Sequence, residues 1–144
     1  MNLTNIQNRN VFVDANVIFD YLLDRKFYAD NASYFFDNAQ KYSVDLYVCS
    51  YTFAIAYYHM CKKGVTHNEA LDKLEKLLTR IECLLSVDEK IIRQAMKSGF
   101  NDFEDAIQFY CASNVPKCEA IITRNAKDFS LSNIPAVKPQ NFLF

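Results

Sequence analysis

Glycine is scarce in this sequence, with only Gly64 and Gly99 among 144 residues. Glycine-rich backbone cradles for phosphate, such as the dinucleotide fingerprint and the P-loop, need several glycines close together. Two widely separated glycines exclude both kinds of site. The three prolines, Pro116, Pro135 and Pro139, all stand late in the chain, so most of it lacks the strongest helix breaker.

The five cysteines form no Cys-x-x-Cys pair and match no zinc-binding spacing; they are Cys49, Cys61, Cys83, Cys111 and Cys118. Their number is odd, and the N-terminal segment MNLTNIQNRN lacks the apolar stretch of a secretory leader. We therefore expect a cytoplasmic protein with reduced thiols.

Strong charge and long apolar runs are also lacking. Sixteen basic residues nearly balance 17 acidic ones, giving a net charge of -1. Any binding of nucleic acid must then come from a local patch. No apolar run approaches the ~18 residues of a membrane span, so we expect no membrane partner. The length predicts a single domain over residues 1–144.

Short apolar runs typical of strands alternate with segments of helical periodicity. The predicted strands cover residues 11–13, 45–49, 82–86, 120–123 and 134–137. Alternating strands and helices favour an α/β fold in which a parallel sheet is covered on both faces. Local signals predict the helix ends as well. Ser50, Thr66, Ser86 and Asn101 are expected at N-caps, and Gly64 and Gly99 after helix C-termini.

Acidic residues stand where the predicted parallel strands end, which is where ligands bind in such sheets. Asp14 follows the first strand, Asp128 follows a late strand, and Asp102 and Asp105 lie at the start of the helix before that strand. Clustered carboxylates repel one another, and Mg²⁺ or Mn²⁺ would relieve that repulsion. The alternative is that Asp14 caps a helix, Asp102 and Glu104 belong to a helix start, and Asp128 lies in a surface turn.

Four segments resemble motifs of the PIN domain family. They are VFVDANVIFD at residues 11–20, YVCSYTF at 47–53, DFEDAIQ at 102–108 and ITRNAKDF at 122–129. The resemblance is to VapC-like proteins, in the branch with the DFEDA and TRNxKDF motifs. It implies a three-layer α/β/α fold with a central parallel sheet. It also implies a metal-dependent (Mg²⁺ or Mn²⁺) ribonuclease, often the toxin of a toxin–antitoxin pair.

The resemblance also implies site residues. Asp14 and Asp105 match metal-binding acids, Asp102 and Asp128 are further candidates, and either Asn125 or Asp128 fills the last acidic place. The place of the family's second acid falls on Ala56, which cannot bind metal. Asp102, Glu104, Asp20 and Asp24 are candidates to replace it, and Asp102 or Glu104 is favoured because both lie in the same acidic turn. The remaining expected roles are water-orienting or supporting for Asn16, Ser50, Thr123 and Asn125, and RNA-phosphate binding for Arg124 and Lys127.

The expected partners are an RNA substrate, an antitoxin protein and a second copy in a homodimer. His59 and His67 have no spaced partner and are expected to be structural. Two alternatives stay open. One is a catalytically degenerate PIN-like module that binds RNA or protein without cutting, which the alanine at position 56 favours. The other is a small-molecule phosphatase, although the sequence contains no phosphate nest.

Overall fold

The computed structural model describes residues 8–144 and contains a five-stranded parallel sheet. Its strands are β1 (Arg9–Val13), β2 (Val44–Cys49), β3 (Cys83–Leu85), β4 (Cys118–Ile122) and β5 (Ala136–Val137). All four strand pairs are parallel. Each predicted strand is present, with shifted ends. Residues 1–7 lie outside the described residues. They make up most of the N-terminal segment that the sequence predicts not to be a secretory leader.

Six α-helices connect the strands or pack on them. They are α1 (Ala15–Leu22), α2 (Ala29–Lys41), α3 (Tyr51–Lys62), α4 (His67–Leu78), α5 (Glu89–Met96) and α6 (Phe103–Ala112). Short 3₁₀ turns cover Ala126–Phe129 and Pro139–Asn141. Within residues 8–144, no helix combines the length and apolar character needed to cross a membrane.

The helices form two layers because successive strand side chains point to opposite faces of the sheet. Val11 and Val13 of β1 belong to one core cluster with residues of α1 to α4. Phe12, between them, belongs to the other cluster with residues of α5 and α6. The predicted three-layer α/β/α architecture is confirmed.

Some of the predicted helix ends are confirmed. Thr66 and Glu69 form a capping box at the start of α4. Gly64 follows α3 with φ +93°, a conformation that glycine adopts without steric cost.

The other capping predictions are wrong. Asp88, not Ser86, caps α5 and accepts a hydrogen bond from the Ile91 amide at 2.9 Å. Asp102, not Asn101, caps α6. In both cases an aspartate with extended backbone lies closer to the helix than the predicted cap does. Its side chain accepts the hydrogen bond from a free amide in the first turn.

Two further predicted helix ends differ in part, for backbone reasons. Ser50 stands at the N-cap position of α3 as expected, but its backbone is helical (φ -60°, ψ -39°) and its side chain makes no capping hydrogen bond. Helix α5 ends at Met96, before Gly99, and Gly99 has no positive φ. Neither position has the backbone conformation that the expected cap requires.

The strand order β3-β2-β1-β4-β5 creates a crevice between β1 and β4. The chain steps outward from β1 to β3 and then returns to the other side of β1. Ligand sites in open parallel sheets lie at such a switch point, beyond the carboxyl ends of the strands. Here the two strand ends are joined by a hydrogen bond of 2.9 Å from the Asp14 amide to the Ile122 carbonyl.

Candidate active site

Asp14 lies buried at the carboxyl end of β1, directly in this crevice. Its Oδ2 accepts a hydrogen bond of 2.9 Å from the hydroxyl of Thr123, the residue after β4. Asp14 stands at the N-cap position of α1, although its side chain makes no capping hydrogen bond. Burial raises the pKa of Asp14 to about 6, and the charge of Glu104 raises it further, while the Thr123 hydroxyl and the backbone amides of Ala15 and Asn16 act in the opposite direction.

Helix α6 brings three more carboxylates to the same crevice. Asp102 caps it, accepting a hydrogen bond of 2.9 Å from the Asp105 amide, which places Glu104 and Asp105 in the first turn. Burial raises the pKa of Asp105 to about 7, and the charges of Asp102, Asp14, Asp128 and Glu104 raise it further. The carboxylates predicted from distant parts of the sequence therefore share one electrostatic environment.

The cavity at this place, which we call the acidic pocket, has a volume of about 300 Å³. Four acids line it, three from α6 and Asp128 from the 126–129 turn. The other lining residues come from α1, the loop after it and α3: Asn16, Phe19, Arg25, Ile55 and His59. Asp14 lies beneath this surface and acts on Asp105 through its charge.

The donor atoms of the acidic pocket suit a hard divalent cation, because they are carboxylate oxygens that raise one another's pKa. The carboxylates do not form a finished cage. In the part of the chain from residue 8 onward, no three His, Cys, Asp or Glu side chains stand close enough to hold a metal ion together. The ligand chemistry thus fits a cation that would draw the carboxylates together on binding.

A family model described as PIN domain matches residues 10–127. The chain belongs to the PIN domain family. The match includes Asp14 and the acids of α6 and ends one residue before Asp128. PIN domains generally are ribonucleases that use divalent metal ions, so the chain has a nuclease-type fold. A search among curated proteins finds no match to this chain.

Position 56, where the resemblance puts the second acid of the PIN domain, does not face the acidic pocket. Ala56 is buried in the core, on the same stripe of α3 as the buried Thr52 and Met60. The residues of α3 that line the acidic pocket are Ile55, its neighbour, and His59. The spacing of residues along α3 could reveal this difference in the sequence. Buried residues that recur every four positions lie on one face of the helix, whereas Ile55 and His59, also four positions apart, lie on a different face.

Two basic residues of the acidic pocket were missed, besides the apolar Phe19 and Ile55. His59, expected to be structural, lines the pocket and contacts Phe19 edge-on at 5.0 Å. Burial and the charge of Asp102 raise the pKa of Glu104, and His59 opposes that rise in part. Arg25 also lines it and forms an ion pair of 3.6 Å with the buried Asp20. No spacing rule links these residues to Asp105, since their proximity depends on how α3 and the loop after α1 pack.

The remaining predicted residues divide by location. Asn16 lines the acidic pocket, and Lys127 lies beside Asp105 and Asp128 in an adjoining cavity of about 220 Å³. Of the two candidates for the last acid, Asp128 lines the pocket, whereas the backbone amide of Asn125 donates to the Thr123 hydroxyl at 3.2 Å.

Ser50 and Arg124 lie outside the acidic pocket. Ser50 is exposed, and its amide donates to the Leu85 carbonyl at 2.9 Å. Arg124 forms an ion pair of 3.2 Å with Asp20 and stacks on the Tyr28 ring, with its Cζ 4.1 Å from the ring centroid. The structure therefore brings Arg124 to a neighbouring surface.

Proposed function

We propose that this PIN domain is a metal-dependent ribonuclease that hydrolyses RNA phosphodiester bonds. The observation that carries the proposal is the acidic pocket at the β1–β4 switch point. There, the burial of Asp14 and Asp105 raises their pKa values to about 6 and about 7, and neighbouring carboxylates add to both shifts. A fold without a use for this arrangement would gain stability by dispersing these charges.

The proposed metal ligands are Asp14 and Asp105, with Asp102 and Asp128 beside them. Mg²⁺ or Mn²⁺, when bound, lowers the pKa of a coordinated water and offsets charge on the phosphate. Thr123 orients Asp14 through its hydroxyl hydrogen bond, and such outer contacts position ligands for a metal. Asn16 is placed to orient a water in the pocket.

The roles proposed for the other residues follow their locations. Lys127 stands beside the acids and is placed to contact a phosphate of bound RNA. Asn125 supports Thr123 through its backbone amide. Ser50 lies outside the acidic pocket, so its position does not support the water-orienting role expected for it.

The test is cleavage of single-stranded RNA with Mg²⁺ or Mn²⁺ by wild type, Asp14→Asn and Asp105→Asn. The matched control is Asp72→Asn, since Asp72 is an exposed carboxylate on α4. We expect wild type and the control to cut RNA and both site variants to lose at least about 100-fold in rate. A wild type that does not cut RNA, or site variants that cut like the control, would refute the nuclease.

The alternative function is a degenerate module that binds RNA or protein without cutting. It is favoured by Ile55, an apolar side chain on the wall of the acidic pocket. RNA binding without cleavage under any divalent ion would select this alternative. Hydrolysis of a simple phosphate monoester but not of RNA would instead indicate a phosphatase.

The narrower expectations stay predictions: a VapC-like toxin of a toxin–antitoxin pair, a homodimer, a cytoplasmic location and one domain over residues 1–144. Light scattering of the purified protein tests the dimer. Co-expression with the product of a short neighbouring gene, followed by co-purification and a growth assay, tests the antitoxin.

A further inference from the structure

A second pocket lies beside the acidic pocket and combines aromatic rings with cations. We call it the aromatic pocket; its volume is about 270 Å³. Its walls include Phe27 and Tyr28 before α2, Arg124 after β4 with the buried Asp20 that pairs with it, and Lys138 near the C-terminus. The cavity is open to solvent on one side.

Phe27 is exposed and strained in a way that packing does not explain. Its side chain is 83% exposed, and its backbone has φ +75°. Positive φ is an outlier for a bulky residue, and such strain is concentrated at functional sites. The loop therefore holds a large apolar ring in solvent at the mouth of the aromatic pocket.

Cations accompany these rings. The Arg124 guanidinium lies over the Tyr28 ring, and the Lys26 Nζ lies 5.3 Å from the centroid of the Phe27 ring. Lys138 adds another positive charge to the wall. Exposed aromatic faces next to cations are the surface that single-stranded nucleic acid uses, since bases stack on the rings and phosphates pair with the cations.

A cluster of ion pairs connects the two pockets. Asp20, buried in α1, forms ion pairs with Arg25 at 3.6 Å and with Arg124 at 3.2 Å. Arg25 lines the acidic pocket and Arg124 lines the aromatic pocket. A chain of nucleotides passing over these ion pairs could occupy both pockets. The carboxylates of the acidic pocket repel the phosphates of RNA. A neighbouring surface with positive charge would therefore help to hold an RNA substrate close to them.

We propose that the aromatic pocket binds one nucleotide of single-stranded RNA next to the acidic pocket, with the base stacked on Phe27 and a phosphate on Lys138 and Arg124. This proposal rests on the proposed nuclease function for its choice of RNA. It assigns substrate binding to a surface outside the cluster of acids.

The experiment measures binding of a fluorescent single-stranded RNA by polarisation, in EDTA so that no cleavage occurs. We expect Phe27→Ala to weaken binding by about fivefold or more, the loss typical of one stacked base. Lys138→Ala should weaken binding and lower the slope of log affinity against log salt by about 0.7, the value for one phosphate contact on a single strand.

The chain offers a matched control at the other end of α2. Lys41 and Tyr42 form a cation–ring pair of 5.3 Å, and Tyr42 is 53% exposed. This pair stands about 20 Å from the aromatic pocket, the length of a 13-residue helix. Tyr42→Ala and Lys41→Ala should leave RNA affinity and its salt dependence as in wild type.

Phe27→Gly separates binding from folding. It removes the ring and suits the positive φ, so its thermal midpoint should be no lower than that of wild type while its RNA affinity falls. Binding by Phe27→Ala equal to wild type, equal losses in Tyr42→Ala, or no RNA binding by wild type would each overturn the proposal. The proposal would also be overturned if Phe27→Ala and Lys138→Ala changed the oligomeric state and left RNA affinity unchanged, because the aromatic pocket would then be a protein–protein contact.

Failure of the nuclease would look different. A wild type that binds RNA through Phe27 and Lys138 but does not cut it with Mg²⁺ or Mn²⁺ would retain the aromatic pocket and refute the ribonuclease. If wild type cuts RNA and Phe27→Ala binds RNA as tightly as wild type, the ribonuclease is supported and the nucleotide site in the aromatic pocket is refuted.

Discussion

At the scale of single residues, Asp14 is the most deeply buried carboxylate of the site, and its burial destabilises the folded protein. It is 4% exposed, and its partner Thr123 is a neutral hydroxyl. Thr123 and the backbone amides of Ala15 and Asn16 do not together offset the loss of hydration of this buried carboxylate. The consequence is a pKa of about 6 in place of 3.8, which ties stability to pH.

The first prediction is that Asp14→Asn stabilises the protein above pH 7. Between pH 4 and 6 the folded state keeps a proton that the unfolded chain has lost, so the free energy of unfolding falls as pH rises. The shift corresponds to a loss on the order of 2–3 kcal/mol, complete above the folded pKa. Asparagine keeps an acceptor for Thr123 and carries no charge.

Urea unfolding in EDTA at pH 4 and pH 8 measures this. At pH 8, Asp14→Asn should be more stable than wild type by about 2 kcal/mol, and near pH 4 the two should agree to about 0.5 kcal/mol. Asp72→Asn, at an exposed carboxylate, should follow wild type at both values. A difference for Asp14→Asn that does not change with pH would contradict the prediction.

At the scale of elements, α3 shows how one residue step along a helix separates core from site. Successive residues differ by about 100° around the axis. Ala56 is therefore buried inside the larger core cluster, while Ile55 is only partly buried, packing against that cluster on one side and lining the acidic pocket on the other. An acid is tolerable at one position and not at the other.

The second prediction contrasts Ile55→Glu with Ala56→Glu. Ala56→Glu places a larger, unpartnered carboxylate in the core and should cost more than about 3 kcal/mol. Ile55→Glu should cost less, about 2 kcal/mol in EDTA, because it loses part of the packing of Ile55 against the core and adds a like charge to the acidic pocket. Added Mn²⁺ should reverse that loss, since a ligand that binds only the folded state stabilises it.

Thermal unfolding with and without Mn²⁺ checks this pair. The rise in melting temperature on adding Mn²⁺ should be larger for Ile55→Glu than for wild type. An Ile55→Glu protein as unstable as Ala56→Glu, or one with no added response to Mn²⁺, would mean that Ile55 does not face the cation site.

At the scale of the whole molecule, the central strand β1 is the most fully paired strand of the sheet. β1 pairs with β2 on one side and with β4 on the other, and Val11, Phe12 and Val13 are fully buried. The edge strands β3 and β5 have three and two residues. Short edges also limit edge-to-edge association. The crevice with Asp14 thus lies at the most constrained part of the fold.

The third prediction concerns hydrogen exchange. Amides of Val11 and Val13 should exchange most slowly, at a rate set by global unfolding. Amides of Leu84 in β3 and Val137 in β5 should open at lower free energy because each edge strand pairs on one side only. Native-state exchange followed by NMR measures this, and edge amides as slow as those of β1 would contradict it.

The fold was largely predictable because its signals are local. Five short apolar runs between helical segments are sufficient for a parallel α/β sheet, and the capping box at Thr66 lies within four residues. Two of the errors at helix ends came where two neighbouring residues could each have capped the helix. Asp88 prevailed over Ser86 and Asp102 over Asn101, because the residue with extended backbone nearest the helix binds the free amide.

The acidic pocket was only partly predictable. Asp14 follows from its place at the end of β1, Asp105 from its place at the start of the helix before β4, and Thr123 from its place after β4. His59 and Arg25 do not, because their approach to the acids is set by the packing of α3 and of the loop before α2. Arg124 shows the limit most clearly, since its ion pair with Asp20 turns it toward another surface.

By itself, the sequence determined the alternation of strands and helices, the lack of a glycine cradle and the acids at the carboxyl ends of strands, because these depend on short-range patterns. Only the tertiary structure decided which acid faces the acidic pocket, that Ile55 and not Ala56 stands on its wall, and that Phe27 and Arg124 form a second pocket beside it. These features depend on the rotation of each helix against the sheet, which long-range packing sets.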